Sequence, residues 1–167
     1  MTKRLLIALS LILGWQLPAR AEHANIDLRL MRMNPDTGVV KDETTATSDQ
    51  EPPTGGVKAR PLLKVKAKDS LMLQFVLTNT YPHGIHKDVT VRYFVTRVEK
   101  IGQKTLPEPG AKAVVRGQFK MNFRPKCQVG ARAAFTAPEP GIYLLRVDTL
   151  NTASDHEHFS AIDLKVE

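Results

Sequence analysis

The chain has 167 residues, 42% hydrophobic and 25% charged, with a formal charge of +7. That length fits one domain, and that composition excludes wholesale disorder. The single cysteine, Cys127, excludes an intramolecular disulfide framework and any multi-cysteine zinc or iron–sulfur centre.

Lys3 and Arg4 precede an apolar run from Leu5 to Leu17, interrupted by Ser10, Gly14 and Gln16. Pro18 and Ala19-Arg20-Ala21 follow. A short positive region, an apolar core of this length and an A-x-A site are the parts of a secretory signal peptide. Residues 1–21 are therefore expected to be removed on export to the periplasm or the exterior. No cysteine follows the run, so a lipoprotein anchor is not available. Cleavage after Ala21 leaves 146 residues and lowers the charge from +7 to +4, because Lys3, Arg4 and Arg20 depart and no acid does. No later stretch is long and apolar enough to span a bilayer. The remaining cations alternate along strand-like segments, as Lys64 and Lys66 do, and do not interleave with exposed aromatics. Solvated faces explain that pattern better than a nucleic-acid surface.

Ile26, Leu28 and Leu30 alternate with Asp27, Arg29 and Met31, which predicts a strand. Asn34-Pro35-Asp36-Thr37-Gly38 marks a turn, after which Val39-Val40 pairs back briefly. Residues 41–56 are polar, with almost nothing to bury, and read as a long flexible loop. Short strands are predicted around Leu62–Ala67, Leu71–Thr78, Val89–Val98, Val114–Phe123, Val129–Phe135, Ile142–Val147 and Ser160–Val166. In the last of these, Ala161, Asp163 and Lys165 face outward. No helical period, repeat or heptad interrupts the series.

Seven or eight short strands with a turn every 8–14 residues indicate an all-β antiparallel sandwich or barrel. Pro140-Gly141-Ile142-Tyr143 opens the penultimate strand and resembles a tyrosine corner, whose phenol bonds back to nearby backbone. Over residues 62–166 the chain resembles the small, uncharacterised secreted bacterial domains built as immunoglobulin-like β-sandwiches. The paired cysteines and core tryptophan of antibody domains are absent. The resemblance implies one immunoglobulin-like domain over residues 22–167.

Function is sought among the five histidines. His23 is second in the expected mature chain. His83 and His86 lie in the loop after the second strand of the resemblance, and His156 and His158 in the loop before the last strand. In an immunoglobulin-like sandwich those loops gather at one end, near the start of the first strand. The histidines are therefore expected at one pole. Imidazole suits copper and zinc, and alternate residues of an extended segment face one way, so His83, His86, His156 and His158 are candidate metal ligands with His23 a further one. Asp155 or Glu157 would orient a ring. The arrangement is similar to that of the periplasmic copper-resistance proteins, which use an N-terminal histidine and loop ligands. There the histidine is the first mature residue; here Glu22 precedes it, which removes chelation by residue one through amine and imidazole. The competing reading is a loop braced by Ser154, Asp155 and His156 bonding to backbone amides.

Other chemistry has less support. Ser154 and Ser160 lie near histidines and Asp155, but no G-x-S-x-G elbow or oxyanion signature accompanies them. Asp148 and Asp155 do not make a glycosidase pair on spacing, and Gly55-Gly56 lacks the Lys-Ser/Thr of a phosphate loop. The chain reads as an exported, non-enzymatic binding or interaction module that uses loops 81–88 and 151–158 to contact a protein or small ligand. A copper- or zinc-binding periplasmic protein is the alternative.

Overall fold

A computed structural model of the chain describes residues 24–48, 60–80, 84–103, 113–150 and 158–167. Alternating apolar side chains make nine strands among them: β1 (Ala24–Met33), β2 (Val40–Thr47), β3 (Leu62–Val65), β4 (Ser70–Asn79), β5 (His86–Val98), β6 (Val115–Phe123), β7 (Gln128–Thr136), β8 (Gly141–Leu150) and β9 (His158–Val166). They form two sheets, ordered β2-β1-β4-β7 and β3-β9-β8-β5-β6. Every pairing is antiparallel except that of β3 with β9. The protein is an all-β sandwich. No helix among the described residues is long and apolar enough to cross a membrane.

Strand β2 corrects the expected loop at 41–56. Residues 41–47 belong to β2, which pairs with β1 from Asp27↔Thr47 to Met33↔Val40. Its side chains are mostly exposed, so it contributes little to the core. It is an edge strand held by main-chain hydrogen bonds and by cross-strand charges such as Arg29–Glu43 and Arg32–Asp42. Residues 49–56 lie outside the described residues.

The core lies between the sheets. Ile26, Leu28 and Leu30 of β1 and Leu71, Leu73, Phe75 and Leu77 of β4 face Val89, Val91 and Val95 of β5, Leu145 and Val147 of β8, and Ile162 and Leu164 of β9. Tyr143 sits at one end of this cluster, and its hydroxyl donates a 2.9 Å hydrogen bond to the Glu139 carbonyl. That bond pins the turn entering β8, as the Pro-Gly-x-Tyr spacing predicted. Tyr143→Phe is expected to cost about 1 kcal/mol in a denaturant titration, the usual net value of one hydrogen bond.

The outer face of the five-stranded sheet departs from the expected pattern. Ala161 and Asp163 point outward from β9 but are buried, as are Phe94, Leu144, Arg146, Asp148 and Phe159 on the same face. Two carboxylates organise the charge there. Asp148 receives Arg92 in a two-point contact, Nε to Oδ1 at 2.7 Å and Nη2 to Oδ2 at 3.0 Å. Arg146 Nε lies 3.1 Å from Oδ2 of the same carboxylate, and its guanidinium stacks between Phe94 and Phe159. Asp163 accepts from Arg60 Nε at 3.1 Å and from the Gly102 amide at 2.8 Å. Arg60 also donates to the Gln103 carbonyl, so this carboxylate ties the chain before β3 to the connection after β5.

Candidate functional site

The strand registers decide which loops share an end. Ala24 starts β1 opposite Asn79, the last residue of β4. His86 starts β5 opposite Phe123, the last residue of β6. His158 starts β9 opposite Thr149, near the end of β8. Thr149 in turn pairs with Val91, and Leu150 with Thr90, toward the start of β5. The beginnings of β1, β5 and β9 and the ends of β4, β6 and β8 therefore occupy one end of the sandwich. Asn79 ties the two sheets together there: its side chain donates to the Phe123 carbonyl at 3.0 Å. Its main chain meets the β6–β7 turn, with its amide on the Cys127 carbonyl and its own carbonyl accepting from the Lys126 amide.

His86 and His158 differ from their expected loop setting. Both are strand residues and both are buried, at 7% and 0% exposure. His158 shares the face of Thr149 and Val91, so it points between the sheets. The placement of His86 depends on a bulge. Strand alternation from Val89, Val91 and Tyr93 would put residue 86 on the outer face. One extra residue between His86 and Val89 shifts the register and brings His86 opposite the core residue Phe123. Asp88 absorbs the bulge with φ of 56° and donates its amide to the Asn122 side chain. Two strand spacings and about four residues of rise separate the backbones of His86 and His158, on the order of 15 Å. The two histidines face the same side of the five-stranded sheet, with β8 between their strands.

His23, His83 and His156 lie outside the described residues. The residues that flank them are at the same end: Ala24 after the first, Thr80 and Gly84 around the second, Leu150 and His158 around the third. Among the described residues no group of three His, Cys, Asp or Glu side chains is arranged to hold a metal ion. Cys127 is half-buried in the β6–β7 turn at this end, packed against the core. Ile85, 52% exposed, stands beside His86 as an apolar contact point.

The sequence reading missed Asn79, although alternation through Leu71, Leu73, Phe75 and Leu77 places residue 79 on the inner face. Thr149 was missed as well; it extends the inner-face series Tyr143, Leu145 and Val147. Asn79, His86, Thr149, His158 and Ser160 are the buried polar residues on the inner faces at this end, above a mainly apolar core. Buried polar groups restrict a core to arrangements that satisfy them, so this end is more closely specified than an apolar end would be.

No family model matches the chain, and no curated protein matches it. Among solved structures, the selenomethionine-labelled β-glucosidase from Kluyveromyces marxianus is similar over 59% of this chain, at 16% identity and a TM-score of 0.33. The match covers 13% of that enzyme's chain, and a likeness of this size bears on neither fold nor activity here.

Proposed function

We propose that the chain is an exported, non-enzymatic binding or interaction module whose contact surface is the end carrying loops 81–88 and 151–158. One observation carries the reading: the registers bring the flanks of both loops, and the start of β1, to one rigid end. Loops held on a rigid scaffold commonly carry recognition. Exposed Ile85 beside these buried polar residues gives that end an apolar contact with a defined base. An immunoglobulin-like scaffold is supported by β1, β4 and β7 lying in one sheet, β5, β6, β8 and β9 in the other, and by the Tyr143 bond. Export rests on the pattern of residues 1–21, and sequencing the N-terminus of the secreted chain is expected to read Glu22 first.

The test is a photo-crosslinking residue at Ile85, compared with one at Val39 beyond the far end of β1, in the native host. The reading predicts a discrete adduct from position 85 and none from position 39. Equal labelling from both, or labelling from 39 alone, rejects it.

A second reading is copper or zinc binding at the same end, favoured by the three histidine-bearing stretches of the sequence, whose described flanks the topology brings there. Chelator-stripped protein is then expected to melt higher with one equivalent of Cu(II) or Zn(II). Unchanged melting with both ions rejects the metal reading and leaves the first one standing.

A further inference from the structure

The two strands that close the open side of the sandwich are consecutive in the chain. β6 ends the five-stranded sheet and β7 ends the four-stranded sheet, and each pairs with a neighbour on one side only among the described residues. On the opposite side the two sheets approach most closely, where β1 and β2 lie against β9. On β6 half-buried Val115, Gly117, Phe119 and Met121 alternate with exposed Arg116, Gln118, Lys120 and Asn122. Tyr93 lies across Gly117, where a Cβ would fall inside its ring, and packs on Phe75 at 5.6 Å between centroids. The glycine therefore lets an aromatic ring floor the inner side of this edge. Beside it, on the outer face, a depression of about 340 Å³ is lined by Arg92, Phe94, Arg116 and Gln118.

Charge is the second observation. From residue 113 to residue 138 the chain has five cations, Arg116, Lys120, Arg124, Lys126 and Arg132, and no acid. We propose that the free edge of β6 receives an extended acidic segment of a partner protein by strand addition. An added strand hydrogen-bonds to the open main chain, and its side chains alternate in step with those of β6. Opposite Phe119 and Met121 it presents apolar residues; opposite Arg116 and Lys120 it presents carboxylates. The same cations set two copies of this edge against each other, which disfavours self-pairing. A polyanion without apolar residues would leave Phe119 and Met121 uncovered. This surface is lateral and does not depend on the proposed contact end.

The probe is a nine-residue synthetic peptide alternating Glu and Val, added to the full protein, with nine-residue polyglutamate and a Lys/Val peptide as controls. The Glu/Val peptide is expected to bind, to slow hydrogen exchange of β6 amides, and to weaken as salt rises. The exposed double variant Arg116→Glu, Lys120→Glu is expected to bind it roughly 3- to 30-fold more weakly with an unchanged melting temperature. Polyglutamate binding as well as the alternating peptide would overturn the proposal in favour of a general polyanion surface. Absence of binding, or protection at β7 or the loop end instead of β6, would also overturn it.

Discussion

Replacing Asp148 by alanine is expected to lower the unfolding free energy by about 3–5 kcal/mol, the range for removing one member of a buried ion pair. The carboxylate is fully buried and serves two guanidiniums, Arg92 through two hydrogen bonds and Arg146 at 3.1 Å. Arg146 is held between Phe94 and Phe159, so it does not swing to water without unpacking both rings. Asp148→Asn keeps the volume but loses the charge and is expected to fall between wild type and Asp148→Ala. Urea denaturation of the three proteins measures the order. A double-mutant cycle with Arg92→Met isolates the two-point contact from the loss of packing. An Asp148→Ala variant within about 0.5 kcal/mol of wild type would mean that the outer-face network contributes nothing, contrary to its burial.

The second large effect belongs to Asp163, which is fully buried with its two oxygens divided between Arg60 and the Gly102 amide. Asp163→Ala is expected to cost about 3–5 kcal/mol for the same reason. It also has a local signature that Asp148→Ala lacks. The Gly102 amide loses its acceptor and Arg60 loses its side-chain partner, so exchange at Gly102 is expected to speed up well before global unfolding. Phe159 pairs with Asp148 and Leu144 with Asp163, which puts the two carboxylates four residues apart along the sheet, roughly 13 Å. At that spacing the two substitutions are expected to add within about 0.5 kcal/mol. Marked non-additivity in denaturant melts would show that the two ion clusters act as one.

The strands with a buried face were legible because strict alternation has one physical reading. Leu71, Leu73, Phe75 and Leu77 interleaved with Met72, Gln74, Val76 and Thr78 bury one side of β4 and little else satisfies them. β2 was not legible, since its stability comes from main-chain pairing with β1 and a polar edge strand looks like a polar loop. Burial of the outer face was hidden for a different reason. Alternation assigns Asp163 and Arg146 to a face, but whether that face meets water depends on segments distant in sequence, such as Arg60 and Gly102. His86 shows a third limit. A single inserted residue at Lys87-Asp88 reverses the face of everything before it, and no periodicity count detects a bulge. That the residues flanking the histidine-bearing stretches, Ala24, Gly84 and Leu150, share one end was expected from strand order, whereas the burial of His86 and His158 was not.

The central claim is that the segments near residues 85 and 150 share one end of the molecule while residue 39 lies at the other. Spin labels placed pairwise in a Cys127→Ser background measure this directly. The 85–150 pair is expected at about 20 Å or less. The 85–39 pair is expected at about 30 Å or more, since a ten-residue strand such as β1 spans that length. The reverse order, with position 85 nearer to 39 than to 150, would contradict the account.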